Sequence, residues 1–203
     1  MARLPNGLTR ADDWALRAVT GGAVIFAGLG IVGIIARVIQ LISDRSATLD
    51  LRLAEGFDTT AVDALPGVRY SFASTVEVDF DEVPAAAVGW LIGETAARGI
   101  LSVGLCVIVA LIGYRTWVGR PFGRTVTVSL IVAACLIMVC SISADALAGF
   151  AAAAAADTLD SSLFAGFQIS VQGQPFSWAL GLGVIATAFH IGARMQRDTD
   201  TLV

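Results

Sequence analysis

The sequence predicts an all-α membrane protein: a four-helix transmembrane bundle, N-in/C-in, with a small extracytoplasmic β-rich cap. Three observations predict it. Four apolar runs are each long enough to cross about 30 Å of hydrocarbon, which takes roughly 20 residues. The arginines sort to one side of those runs. The four tryptophans fall at run ends.

The first span covers about Ala18 to Ile42. It is too long for the apolar core of a signal peptide, and no A-x-A site follows it, so it reads as an uncleaved span. Thr9 ahead of Ala11, Asp12 and Asp13 reads as a helix cap with acids in the first turn. A short amphipathic helix with Trp14 and Arg17 therefore leads into the span. The second span covers about Val88 to Tyr114, the third Thr125 to Phe150 and the fourth Ser177 to Ala193. The Ala151 to Ala156 run extends the third span as helix. A soluble helical core would need polar faces that these runs lack. The 56% hydrophobic content and the mean hydropathy of +0.78 agree.

The segments between spans set the orientation. The chain has no lysine. Arg3, Arg10, Arg17, Arg115, Arg120, Arg124, Arg194 and Arg197 lie in the two tails and in the loop between spans two and three. With an even number of spans these three segments share a side, and the positive-inside rule makes it cytoplasmic. The other two segments, 43–87 and 151–176, hold most of the acids, so the pI near 4.8 belongs to the extracytoplasmic face. Trp14 and Trp117 then mark inner span ends, and Trp90 and Trp178 outer ones, as an indole at the interface prefers. The location is the cytoplasmic membrane, multi-pass, in a single domain covering 1–203.

Within 43–87, Thr48 to Leu53 alternates polar and apolar residues. Val68 to Phe80 does so more clearly, with Tyr70, Phe72, Val76, Val78 and Phe80. Period-two alternation of β-branched and aromatic residues reads as strand. Phe167 to Val171, followed by Gly173 and Pro175, offers a further strand, so the cap sheet draws on both outer segments. Cys106, Cys135 and Cys140 lie in spans and read as small packing residues rather than a disulfide framework.

Four ionisable residues fall inside spans: Arg37, Glu94, Arg98 and Asp145. Each is expensive in hydrocarbon, so each needs a partner or water. Glu94 and Arg98 share a helix face at i and i+4. All four fall in the outer half of their spans and sum to zero charge, which predicts one buried network. It either pins the helices in one register or lines a polar pocket, a proton path or an anion site. The first reading is preferred because buried ion pairs specify geometry more than they add stability. Gly89, Gly93 and Ala97 repeat every four residues and predict a close helix–helix approach. This face would serve a homo-oligomer.

On the cytoplasmic loop, Arg115, Arg120, Pro121, Phe122 and Arg124 form a basic, aromatic turn. Ordinary positive-inside retention explains it, with anionic headgroup contact as the alternative. His190, the single histidine, cannot build a multi-histidine metal site or paired haem ligation. It reads as an interfacial residue near a helix C-terminus. No C-x-x-C, phosphate-cradling glycine loop or H-E-x-x-H motif is present. No catalytic residue, metal or cofactor is expected, and no basic patch for nucleic acid.

Phe176 through Val203 carries a further signal. Phe189, Gly192, Asp198 and Val203 fit an F-x-x-G-x-x-x-x-x-D/E-x-x-x-x-V tail, and Gly119-Arg120-Pro121-Phe122 fits a G-x-P-F loop. In these elements the chain resembles a bacterial family of uncharacterised four-span integral membrane proteins, a domain of unknown function. The family's asparagine-containing stretch after the P-F pair is replaced here by Arg124-Thr125-Val126. The resemblance implies a four-span layout and, since some members are encoded beside a small helix-turn-helix regulator, signalling through such a partner. The functional expectation is a non-enzymatic sensor, regulatory or interaction protein. The alternative is a small transporter or permease using the buried charges, although no inverted repeat or broken helix speaks for it.

Overall fold

The computed structural model describes residues 10–52, 68–72, 75–118, 124–159, 164, 166–167, 169 and 172–200. It is mostly helical. Four long helices, α1 (Arg10–Ser43), α2 (Ala85–Trp117), α3 (Arg124–Ala156) and α4 (Gly173–Asp200), are accompanied by strands β1 (Ala47–Arg52), β2 (Val68–Phe72) and β3 (Thr75–Phe80). Each helix contains a stretch long and apolar enough to cross a membrane: Asp13–Ser43, Ala85–Trp117, Arg124–Ala156 and Gly173–Gly192. The architecture is that of a multi-pass membrane protein, compatible with a four-helix bundle.

The helices overrun the apolar runs because nothing in the flanks stops them. The amphipathic lead-in is not a separate helix: α1 is continuous from Arg10. The Ala151 to Ala156 run continues α3, as expected from alanine's propensity. Pro175 sits in the first turn of α4, a place where a missing N–H breaks no helical hydrogen bond. Hydroxyls on the helices bond back to their own backbone, which satisfies them without water. Thr116 Oγ1 donates to the Ile112 carbonyl at 2.9 Å, Thr187 to Gly183 at 2.9 Å and Ser43 to Ile39 at 2.6 Å.

The chain divides into two compact units. One comprises Met1–Val32, Gly99–Ser141 and Gln172–Val203, the other Gly33–Arg98 and Ile142–Val171. The second unit holds the sheet, ordered β1-β3-β2 and antiparallel throughout. The Val68 to Phe80 stretch is therefore not one strand but a hairpin, with Phe72 paired to Thr75. The small residues Ala73 and Ser74, outside the described residues, separate its halves. β1 pairs with β3 so that Leu49 faces Val78 and Leu51 faces Val76. The described strands all come from the first extramembrane segment. Phe167 and Ile169 of the second are not in strand, and residues 168, 170 and 171 lie outside the described residues.

The core of this unit explains the alternation. Ala47, Leu49, Leu51, Val76 and Val78 are buried together with Leu41 of α1, Val83, Ala87 and Leu91 around the start of α2, Ala151, Ala155 and Ala156 of α3, and Phe164. One face of the sheet thus closes over three helix ends. Just beyond α1, Arg45 lies in the left-handed region at φ 50°. Its carbonyl accepts from Val83 N at 2.7 Å, which ties the turn after α1 to the approach to α2.

The first unit has its own small core of Val126, Leu130 and Ala186, with Ile112, Leu182 and Phe189 packed against it. Close helix approach occurs at glycines not singled out from sequence. A Cβ on Gly104 would come 2.5 Å from Leu136 Cδ2, and one on Gly113 would collide with Thr20 Oγ1.

Candidate functional site

The intramembrane charges gather on α2 and α3. One helical turn separates Glu94 from Arg98, and Arg98 Nε donates to Glu94 Oε1 at 2.8 Å. The same guanidinium reaches Asp145 Oδ1 at 3.6 Å through its NH2 group. The Asp145 side chain is 12% exposed and that of Glu94 20%, whereas Arg98 is 55% exposed. The carboxylates are the covered members and the guanidinium is the lid over them.

The expected four-residue network is corrected at one member. Arg37 is exposed and donates to Gln40 Oε1 at 3.1 Å, three residues further along its own helix. It is six residues from the end of α1, and a long arginine reaches toward that end more cheaply than across to a neighbour. Without it the cluster is Glu94, Arg98 and Asp145, with one negative charge in excess.

Aromatic packing continues the α2–α3 seam. Trp90 stacks on Phe150 with ring centroids 4.9 Å apart, and Phe150 on Phe167 at 4.3 Å. Leu147 Cδ1 would lie 3.3 Å from a Cβ on Gly93. Positions rising along α2 (90, 93, 98) meet positions falling along α3 (150, 147, 145), so the two segments are antiparallel in this unit. Of the small-residue repeat, Gly93 is used inside the chain, Gly89 faces nothing within 4 Å and Ala97 is half-buried.

The first unit shows a polar cluster that sequence reasoning missed. Asp13 Oδ2 pairs with Arg17 NH2 at 3.0 Å, and Asp13 Oδ1 accepts from Trp117 Nε1 at 3.1 Å. Arg17 also sits over the Trp117 ring, 5.9 Å from its centroid. The i, i+4 half of this clamp was legible in the chain, but the bond spanning 104 residues was not. Arg115 is half-buried, and its Nε is covered without a hydrogen-bond partner. Arg124 opens α3 and is exposed. Arg120, Pro121 and Phe122 lie outside the described residues, as do Gly119 and Val203 of the tail and loop elements. His190 is exposed on α4, and no group of three metal-ligating side chains occurs among the described residues. The cysteines are free: Cys106 half-buried, Cys135 exposed and Cys140 buried.

Two sites are thus defined: a guanidinium bridging two carboxylates on facing helices, and an arginine-rich, aromatic helix end. The first can hold α2 to α3 or exchange a proton or cation. The second can meet an anion. No family model matches the chain, and no curated protein or solved structure is similar to it.

Proposed function

We propose that the protein is a non-enzymatic sensor or interaction protein of the cytoplasmic membrane, with both termini in the cytoplasm. It takes its input at the extracytoplasmic sheet and passes it along the helices to a cytoplasmic partner. The observation that carries this reading is the shared core of sheet and helix ends, in which Leu49, Leu51, Val76 and Val78 are buried with Leu41, Leu91 and Ala155. A ligand that shifts the sheet must also shift those helix ends, since packed cores move between discrete arrangements rather than deforming smoothly. The opposite face of β1 leaves Thr48, Asp50 and Arg52 exposed for such a ligand. By its resemblance to the four-span family, the partner is a small helix-turn-helix regulator. A homo-oligomer across the open Gly89 side of α2 fits the same scheme.

The test compares transcript profiles of host cells carrying the wild-type gene, no gene, or Asp50→Arg. The variant accumulates normally and shifts the profile toward the null or a locked state. A wild-type profile would sink the proposal. Orientation is read with an impermeant maleimide: Thr48→Cys labels on intact cells, and Arg124→Cys only after permeabilisation.

The excess negative charge at Glu94–Arg98–Asp145 favours a second reading, a small cation- or proton-coupled transporter. On that reading Glu94→Gln and Asp145→Asn abolish flux while the protein still accumulates.

A further inference from the structure

The arginine-bearing end of the first unit contains an unanswered donor. Arg115 Nε is covered and has no hydrogen-bond partner. A buried N–H left unpaired is costly, more so on a group that cannot shed its charge. The reason for its burial is local. Ile112, one turn earlier on the same helix face, packs against the Val126, Leu130 and Ala186 cluster. Arg115, three residues on, shares that helix face and is itself partly buried.

Nothing described nearby neutralises it. The carboxylate side chain described in this unit is that of Asp13, and both its oxygens are engaged, one by Arg17 and one by the Trp117 indole. Arg17, Arg115, Arg124 and Arg194 stand against that one described carboxylate. Arg115, Arg124 and Arg194 make no ion pair with any described residue.

Depth in the membrane is marked by aromatics. Tyr114 and Trp117 flank Arg115, with rings 6.4 Å apart and tilted by 52°. They are 53% and 45% exposed, the half-wet placement that such rings take at headgroup level.

We infer that this helix end is a docking surface for the phosphate of an anionic phospholipid headgroup, with Arg115 at its centre. Nε itself is sealed, so a headgroup meets the terminal nitrogens of the same guanidinium, whose fork matches two phosphate oxygens, and offsets the half-buried charge. Arg124 and Arg194 add attraction that favours an anionic lipid over a zwitterionic one. The Asp13–Arg17–Trp117 clamp keeps the one described carboxylate of this unit from occupying the site. The inference holds whether the protein signals or transports.

The test uses the purified full chain in phosphatidylcholine nanodiscs, with or without phosphatidylglycerol. With the anionic lipid at about a hundredfold excess over its Kd, linkage gives a Tm rise of about 5 to 10 °C. Arg115→Gln loses most of that rise, while Arg52→Gln, on the sheet, keeps it. Arg115→Lys, which retains charge without the fork, keeps only part, and serves if the glutamine variant fails to fold. A full rise in both Arg115 variants would overturn the assignment. So would the same rise produced by inorganic phosphate in pure phosphatidylcholine, since the ligand would then be a free anion.

Discussion

Removing Arg98 should cost the protein far more than removing the acid it reaches across to. Arg98→Gln leaves Glu94 and Asp145, only 20% and 12% exposed, without their counter-charge. An unpaired charge costs about 2.5 to 3.5 kcal/mol at the centre of a span and less toward its ends. The expected loss is about 3 to 5 kcal/mol, in the range for breaking a buried pair. Asp145→Asn is different. Arg98 keeps its 2.8 Å bond to Glu94 and is 55% exposed, so it is not stranded. Its longer contact to Asp145, at 3.6 Å, is the weaker one, and its removal should cost about 1 kcal/mol or less. Combining Arg98→Gln with Asp145→Asn relieves one stranded acid and should recover about 1 to 2 kcal/mol, a coupling of the size found for residues in one network. The assay is reversible unfolding in mixed micelles with increasing denaturing detergent, on both single variants and the double. An Arg98→Gln cost below about 1 kcal/mol, or additivity within about 0.5 kcal/mol, would refute the bridge between α2 and α3.

Two further outcomes follow from the sheet and one from the turn that leads into it. Leu51→Ala, at a side chain 2% exposed beneath the sheet, should cost about 2 to 5 kcal/mol, and a loss under 1 kcal/mol in the same assay would mean that β1 is not seated on the helix ends. Asp50 and Glu77 are directly opposed across β1 and β3, so Glu77→Lys should stabilise by about 0.2 to 1 kcal/mol and lose that gain in high salt. Arg45→Gly should raise stability by roughly 0.5 to 1 kcal/mol, because it removes a left-handed strain that exceeds glycine's entropy cost; an unchanged or lowered midpoint would contradict that backbone.

The spans were legible because crossing a membrane imposes a length and a polarity on contiguous chain, and both can be summed along the sequence without knowing any contact. β1 was legible for a related reason, since the alternation of Thr48, Asp50 and Arg52 with Leu49 and Leu51 records one wet face and one dry face. The β2–β3 hairpin was not, because even-numbered apolar residues stand on both sides of Ala73 and Ser74 with no Gly or Pro signal between them. Similarly, the Glu94–Arg98 pair could be read from its spacing and the gathering of Asp145 with it from the cost of charge in a span, whereas the withdrawal of Arg37 could not.

The sequence by itself determined that four helices are long and apolar enough to span a membrane, that a polar segment carries strands, and which ionisable residues must find partners. Tertiary structure decided which partners they found. Contacts such as Asp13 with Trp117, Gly104 with Leu136, and Arg98 with Asp145 depend on the rotation of each helix about its axis and its shift along a neighbour. In an almost uniformly apolar helix those two variables leave no periodic trace in the chain, because lipid and protein neighbours ask for the same residues. Only the packing of side chains against each other sets them.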